Sequence, residues 1–169
     1  MDSVLLQRIS HVCSRWRSVA ISTCHLWNQI FIHDSSSIDQ VKTCIARSKT
    51  KPLRIDVHIH VRDARADLLA LVLDKYLPRV EWLNYYSEGD PLMRNVVARL
   101  DGKNAPLLLR LRLVNNAGPD WEGGTVTTTP PVLFAPKLDT LVLGHIPWLE
   151  AIYVVELLKD IGTVLRRTQ

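Results

Sequence analysis

Residues 105–116 read Ala105-Pro106-Leu107-Leu108-Leu109-Arg110-Leu111-Arg112-Leu113-Val114-Asn115-Asn116. Thirty positions on, the order of apolar residues returns in Ala135-Pro136-Lys137-Leu138-Asp139-Thr140-Leu141-Val142-Leu143-Gly144-His145-Ile146. Leu77-Pro78-Arg79-Val80-Glu81-Trp82-Leu83-Asn84-Tyr85 fits the same frame 28 residues before the first run. Residues two apart share one face of a strand, so Leu111 and Leu113 turn inward together while Arg110 and Arg112 turn out. Thr140 and Val142 are their outward equivalents in the next copy. A fixed period of this length marks one structural unit written several times.

Between the strands lie helical stripes. Leu68, Leu69, Val72, Leu73, Tyr76 and Leu77 fall at helical spacing and stop at Pro78. Asp90-Pro91 is expected as an N-cap followed by proline at the first helical position, opening Leu92–Leu100 and closing at Gly102. Trp148–Lys159 offers a third helix. Strand followed by helix, repeated, builds a parallel sheet with helices beside it, an α/β fold. Residues 53–61 alternate as Leu53, Ile55, Val57, Ile59 and Val61 against Arg54, Asp56, His58 and His60, the pattern of a strand with one buried face.

Leu108 to Asn116 spells L-x-x-L-x-L-x-x-N and resembles a leucine-rich repeat; the other two copies keep the apolar positions and lose the Asn. The resemblance runs over about residues 52–165. It implies a small strand-helix solenoid with parallel strands, in which Asn116 would satisfy backbone groups at a corner and the outward strand positions Arg110, Arg112, Thr140 and Val142 would face a partner protein. Residues 115–131, with Pro119, Gly123, Gly124, Pro130 and Pro131, read as an inserted loop, and Trp121 within it as a partner anchor. Solenoids need caps, and none is evident before Gln169, so marginal stability or a further C-terminal unit is expected.

Ahead of the repeats the chain has a helical character. Leu5, Ile9, Val12, Cys13, Trp16, Val19 and Ala20 step by three and four, which predicts one apolar stripe along a helix, with Cys13 a small buried residue on it. Ser22 and Thr23 can stop this helix, and Leu26, Trp27 and Ile30 occupy the following turn. Ser37-Ile38-Asp39-Gln40 has capping-box form and opens a second stripe, Ile38, Val41, Cys44 and Ile45, ending near Ser48. The expected organisation is a helical segment over 1–48 and the repeat region over 49–169.

Val12-Cys13-Ser14-Arg15-Trp16-Arg17-Ser18-Val19-Ala20, followed by Leu26-Trp27, resembles the second half of an F-box, and Arg47-Ser48 with Pro52-Leu53 is similar to the stretch just after the F-box in many fungal members. The match covers residues 5 to about 31. It implies docking on the adaptor subunit of a cullin-type (SCF) ubiquitin ligase through Val12, Cys13, Trp16, Leu26 and Trp27, several of which would also build the module's core. The repeat region would then hold an unknown substrate protein. The family's leucine-proline opening and first helix have no counterpart ahead of Val12. The resemblance therefore implies a docking surface short of one helix, where a standard interface buries about 800 Å² per partner.

Composition narrows the function classes. The 169 residues are 47% hydrophobic and 22% charged with a net charge of +4, the balance of a compact chain that does not demand a nucleic-acid partner. Ten basic residues stand against five acidic ones in 1–65, and eleven against twelve in 66–169. Cys13, Cys24 and Cys44 are an odd number at spacings that suit neither a disulfide framework nor a C-x-x-C site, which points to a reducing compartment. The longest apolar run, Leu68–Leu73, falls far short of the roughly 20 residues of a membrane span, so a cytoplasmic or nuclear address without membrane contact is expected.

Chemistry has one candidate. Asp56-Val57-His58-Ile59-His60 resembles the first metal-binding strand of amidohydrolases, since histidines two apart leave one strand face and can share an ion. Those enzymes need a barrel of roughly 250 residues, which this chain cannot close. The simpler reading puts Arg54, Asp56, His58 and His60 in water. No glycine-rich phosphate loop, G-x-S-x-G elbow or H-E-x-x-H occurs. The basic residues Arg47, Lys49, Lys51 and Arg54 read as a solvated helix end, and His11, His25 and His33 as surface or cap residues. The sequence thus predicts a non-enzymatic adaptor without metal or cofactor; a repeat-type interaction module without a ligase link is the second reading, and a metal-dependent hydrolase on Asp56, His58 and His60 a remote third.

Overall fold

A computed structural model describes residues 13–60, 66–116 and 133–146. Five strands, β1 (Gln29–His33), β2 (Leu53–Ile59), β3 (Val80–Ser87), β4 (Arg110–Asn115) and β5 (Thr140–Gly144), form one parallel sheet in chain order. The register aligns the apolar residues into two inward rows, Ile30–Ile55–Leu83–Leu111–Leu141 and Ile32–Val57–Tyr85–Leu113–Leu143. The periodicity of 28 and 30 residues is thus a register: Leu83, Leu111 and Leu141 are direct neighbours across the sheet. The repeated Ala-Pro-x-Leu is a repeated turn. Leu108 N–H donates to Ala105 C=O at 3.1 Å and Leu138 N–H to Ala135 C=O at 3.0 Å, each with proline at the second turn position, where its fixed φ is already correct.

The helices pack on the inward rows. Helix α1 spans Ser14–Ser22 and α2 Ile38–Arg47; α3 (Ala66–Ala70) runs on through wider turns over Leu71–Tyr76 and a tight turn at Leu77–Arg79; α4 spans Asp90–Leu100. Val41, Cys44 and Ile45 of α2, Leu68, Val72 and Leu73 of the next segment, and Met93, Val96 and Leu100 of α4 join the strand residues in one continuous buried cluster. Burial also holds the Cys44 thiol above its ordinary range, against the pull of Arg47. Among the described residues no helix is long and apolar enough to cross a membrane.

Several expectations are corrected. Residues 1–48 are not wholly helical, because Gln29–His33 is a strand hydrogen-bonded to β2. Ile30 and Ile32 alternate with Gln29, Phe31 and His33, a two-residue period that a short apolar run reveals only once a neighbouring strand is present to pair with it. A boundary at 48/49 would cut the sheet between its first two strands. The N-cap of α4 is Gly89, at φ 144°, with Asp90 already inside the helix; Gly102, at φ 66°, follows its end as expected. The corner asparagine is Asn115, not Asn116: Asn115 is buried and its Oδ1 accepts from Gly89 N–H at 3.1 Å, whereas the Asn116 side chain is exposed.

Other expectations hold. Ser37 caps α2, its Oγ accepting from Asp39 N–H at 3.3 Å, and Ser48 ends it. The residues of β2 alternate buried and half-buried, with Leu53, Ile55, Val57 and Ile59 inside. Trp121, the 117–132 part of the inserted loop and the helix at Trp148–Lys159 lie outside the described residues.

Candidate functional site: the open face of the sheet

The outward residues of the five strands also align in rows. The first is Gln29–Arg54–Trp82–Arg110–Thr140, the second Phe31–Asp56–Asn84–Arg112–Val142, the third His33–His58–Tyr86–Val114–Gly144. Arg110, Arg112, Thr140 and Val142, singled out in sequence, therefore sit side by side on two adjacent strands, and none of the four is buried. Their counterparts on β2 and β3, above all Trp82 and Tyr86, carry as much of the face and were missed; extending the 28-residue step one strand back would have found them.

Trp82 lies between the two flanking strands' arginines, with the Arg54 guanidinium 3.9 Å and the Arg110 guanidinium 4.7 Å from its ring centroid. Cation–π attraction of this kind contributes about 0.5–1 kcal/mol at exposed sites and fixes the plane of the guanidinium. A bulge sets the geometry: Leu53 faces Val80 but Arg54 faces Trp82, so Glu81 is an extra residue on β3. Its Oε2 takes the Arg54 Nε–H at 3.0 Å. Arg54 is thereby neutralised, while Arg110 and Arg112 have no carboxylate within ion-pair distance among the described residues. Arg112 stands 5.2 Å from the Tyr86 ring, and its Nε is buried without a hydrogen-bond partner.

Tyr86 stacks on its other side against His58, centroids 4.5 Å apart and planes at 20°, and His33 follows at 6.2 Å from His58. Burial lowers the His58 pKa, His33 and His60 push the same way, and Asp56 opposes them. Asp56 itself accepts from Asn84 Nδ2 at 2.6 Å, and His60 Nδ1 meets Glu88 Oε1 at 2.9 Å. The three residues of the D-x-H-x-H motif thus have three separate tasks, and no three His, Cys, Asp or Glu side chains among the described residues are grouped to share an ion. The basic cluster also disperses, since Arg47 lies 4.3 Å over Trp27 and Arg54 belongs to the sheet face.

The F-box-like positions divide in two. Trp27 is 1% exposed and donates its Nε1–H to Ala20 C=O at 2.7 Å, which ties the end of α1 to the core; Leu26 packs against that core. Trp16 is 57% exposed and Val19, one turn on, is 54% exposed. Cys13, expected inside, is exposed at the N-cap, because only Ala20 of α1 reaches the core. Ser22 and Thr23 end the helix by donating their hydroxyls to Val19 C=O at 3.0 and 2.7 Å. Val12 lies outside the described residues. Neither a protein-family model, nor a curated protein, nor a solved structure matches the chain.

Proposed function

We propose that this chain is a non-enzymatic recruiting adaptor. Leucine-rich-repeat-like coils would hold a partner protein on the open sheet face, and the F-box-like front would dock the adaptor subunit of a cullin-type ubiquitin ligase. The observation that carries the reading is the open face itself. Trp, Tyr and Arg, the residue types that dominate binding hot spots, stand in register there, with two guanidiniums free of any carboxylate among the described residues. The solenoid reading draws on strands laid down in chain order with identical Ala-Pro turns between units. The ligase link draws on the exposed Trp16 and Val19 within the resembling motif.

A pull-down with the purified ligase adaptor subunit tests that link. Trp16→Ala is expected to abolish capture while leaving the thermal midpoint close to the parent's, since exposed substitutions stay within about 0.5 kcal/mol. Capture that survives Trp16→Ala, or no capture by the parent, rejects the ligase role. The second reading, an interaction module without that link, is favoured by the burial of Trp27, which gives half of the motif a purely structural purpose.

A further inference from the structure

We infer that the open face binds an extended acidic peptide segment, reading two carboxylates spaced two residues apart with Arg110 and Arg112. This rests on the recruiting role proposed above and names the chemistry of its ligand. Arg110 and Arg112 are two apart on β4, so their backbone positions stand about 6.6 Å apart along the strand. An extended peptide laid along the strand offers its own i and i+2 side chains at the same repeat. A helical segment does not, because its residues two apart point to different faces.

Both arginines are held in advance. Arg110 rests against Trp82 and Arg112 against Tyr86, so the ring occupies a guanidinium face and leaves the in-plane N–H groups to donate, the arrangement that suits a carboxylate. The unpartnered Nε of Arg112 has already lost its water, and an incoming carboxylate supplies the missing acceptor.

The rest of the face sets the track. On the β2 side Asp56 and Glu81 carry negative charge, and Arg54 is occupied by Glu81, which repels an acidic chain there. On the β5 side Thr140 and Val142 continue the Arg110 and Arg112 rows with a hydroxyl and a methyl surface. The acidic segment therefore lies over β4 toward β5. Stacking of bases on the aromatic rings, the alternative for such a face, meets rings already flanked by Arg54, Arg110, His58 and Arg112.

Fluorescence anisotropy on the full chain tests this with labelled hexapeptides. One alternates Glu and Ser, one alternates Gln and Ser, and one has the same Glu content at every third position. The alternating Glu peptide is expected to bind at least about tenfold more tightly than the other two, and Arg110→Gln or Arg112→Gln to remove that margin with an unchanged melting curve. Equal binding of the two Glu spacings, no binding of the alternating Glu peptide, or tighter binding of an oligouridine than of any peptide overturns the inference. The adaptor pull-down involves neither arginine, so a face that ignores every peptide while Trp16→Ala still abolishes capture defeats this inference alone.

Discussion

The two faces of one sheet are built from alternate residues of the same five strands, yet they obey different rules. On the inner face each position of a row is filled by the same kind of residue, Ile30, Ile55, Leu83, Leu111 and Leu141 being the clearest case. Close packing between a sheet and its helices admits little else. On the outer face no row repeats a residue type across all five strands; charges, rings and amides alternate across neighbours and satisfy one another by stacking, as in Arg54–Trp82–Arg110. The inner face specifies the fold and tolerates no change of volume. The outer face adds little stability and is where specificity resides.

That contrast can be broken by neighbouring substitutions. Leu83→Ala, at a fully buried position, should cost about 3–4 kcal/mol in urea unfolding, whereas Arg110→Ala, on the adjacent strand's outer face, should stay within about 0.5 kcal/mol. Comparable losses would mean that the outer face is structural. Asn115→Ala leaves the Gly89 N–H without its buried acceptor and is expected to cost about 2 kcal/mol, while Asn116→Ala should be neutral. A larger effect at Asn116 in the same unfolding series would return the corner role to it.

Two further changes sharpen the outer face. Glu81→Gln removes the anion that occupies Arg54; a half-exposed pair of this sort is worth at most about 1 kcal/mol. Stability should fall slightly, and the affinity for the alternating Glu peptide should rise by a few fold as a third guanidinium becomes available. Unchanged anisotropy curves would show that Arg54 lies off the peptide's path.

His58 provides the smallest effect. Its folded pKa lies below the ordinary value of 6.5, so the unfolded chain takes up the proton first. The stability that goes with neutral His58 is complete above the unfolded pKa and declines as pH falls from there toward the folded pKa. His58→Gln should therefore flatten the urea midpoint against pH below about 6.5, while a midpoint profile identical to the parent's would remove His58 as a contributor.

Much of the fold could be read from spacing alone. Alternation in 53–59 and the recurring leucines of 80–85, 108–113 and 138–143 appear in the sheet where they were expected. Period-two burial is a local property of a strand and needs no knowledge of its neighbours. The first strand was less legible. Gln29–His33 is too short to show its period, and the Trp27 before it resembles a helical motif. Asn115 and Asn116 were equally plausible corners until Gly89 was in place to donate to one of them. The candidate site was legible only on β4 and β5, where the repeat is most regular.

The sequence by itself determined the parallel α/β character, the inward leucines, the Ala-Pro turns and the outward arginines, because each depends on residues close together in the chain. Only the tertiary structure decided that Trp82 is shared by Arg54 and Arg110, that Glu81 withdraws Arg54 from the face, and that Trp27 is buried while Trp16 is not. Those outcomes depend on which strand lies beside which and in what register. Side chains separated by some 28 residues become neighbours only when the hydrogen-bonded ladder sets their positions.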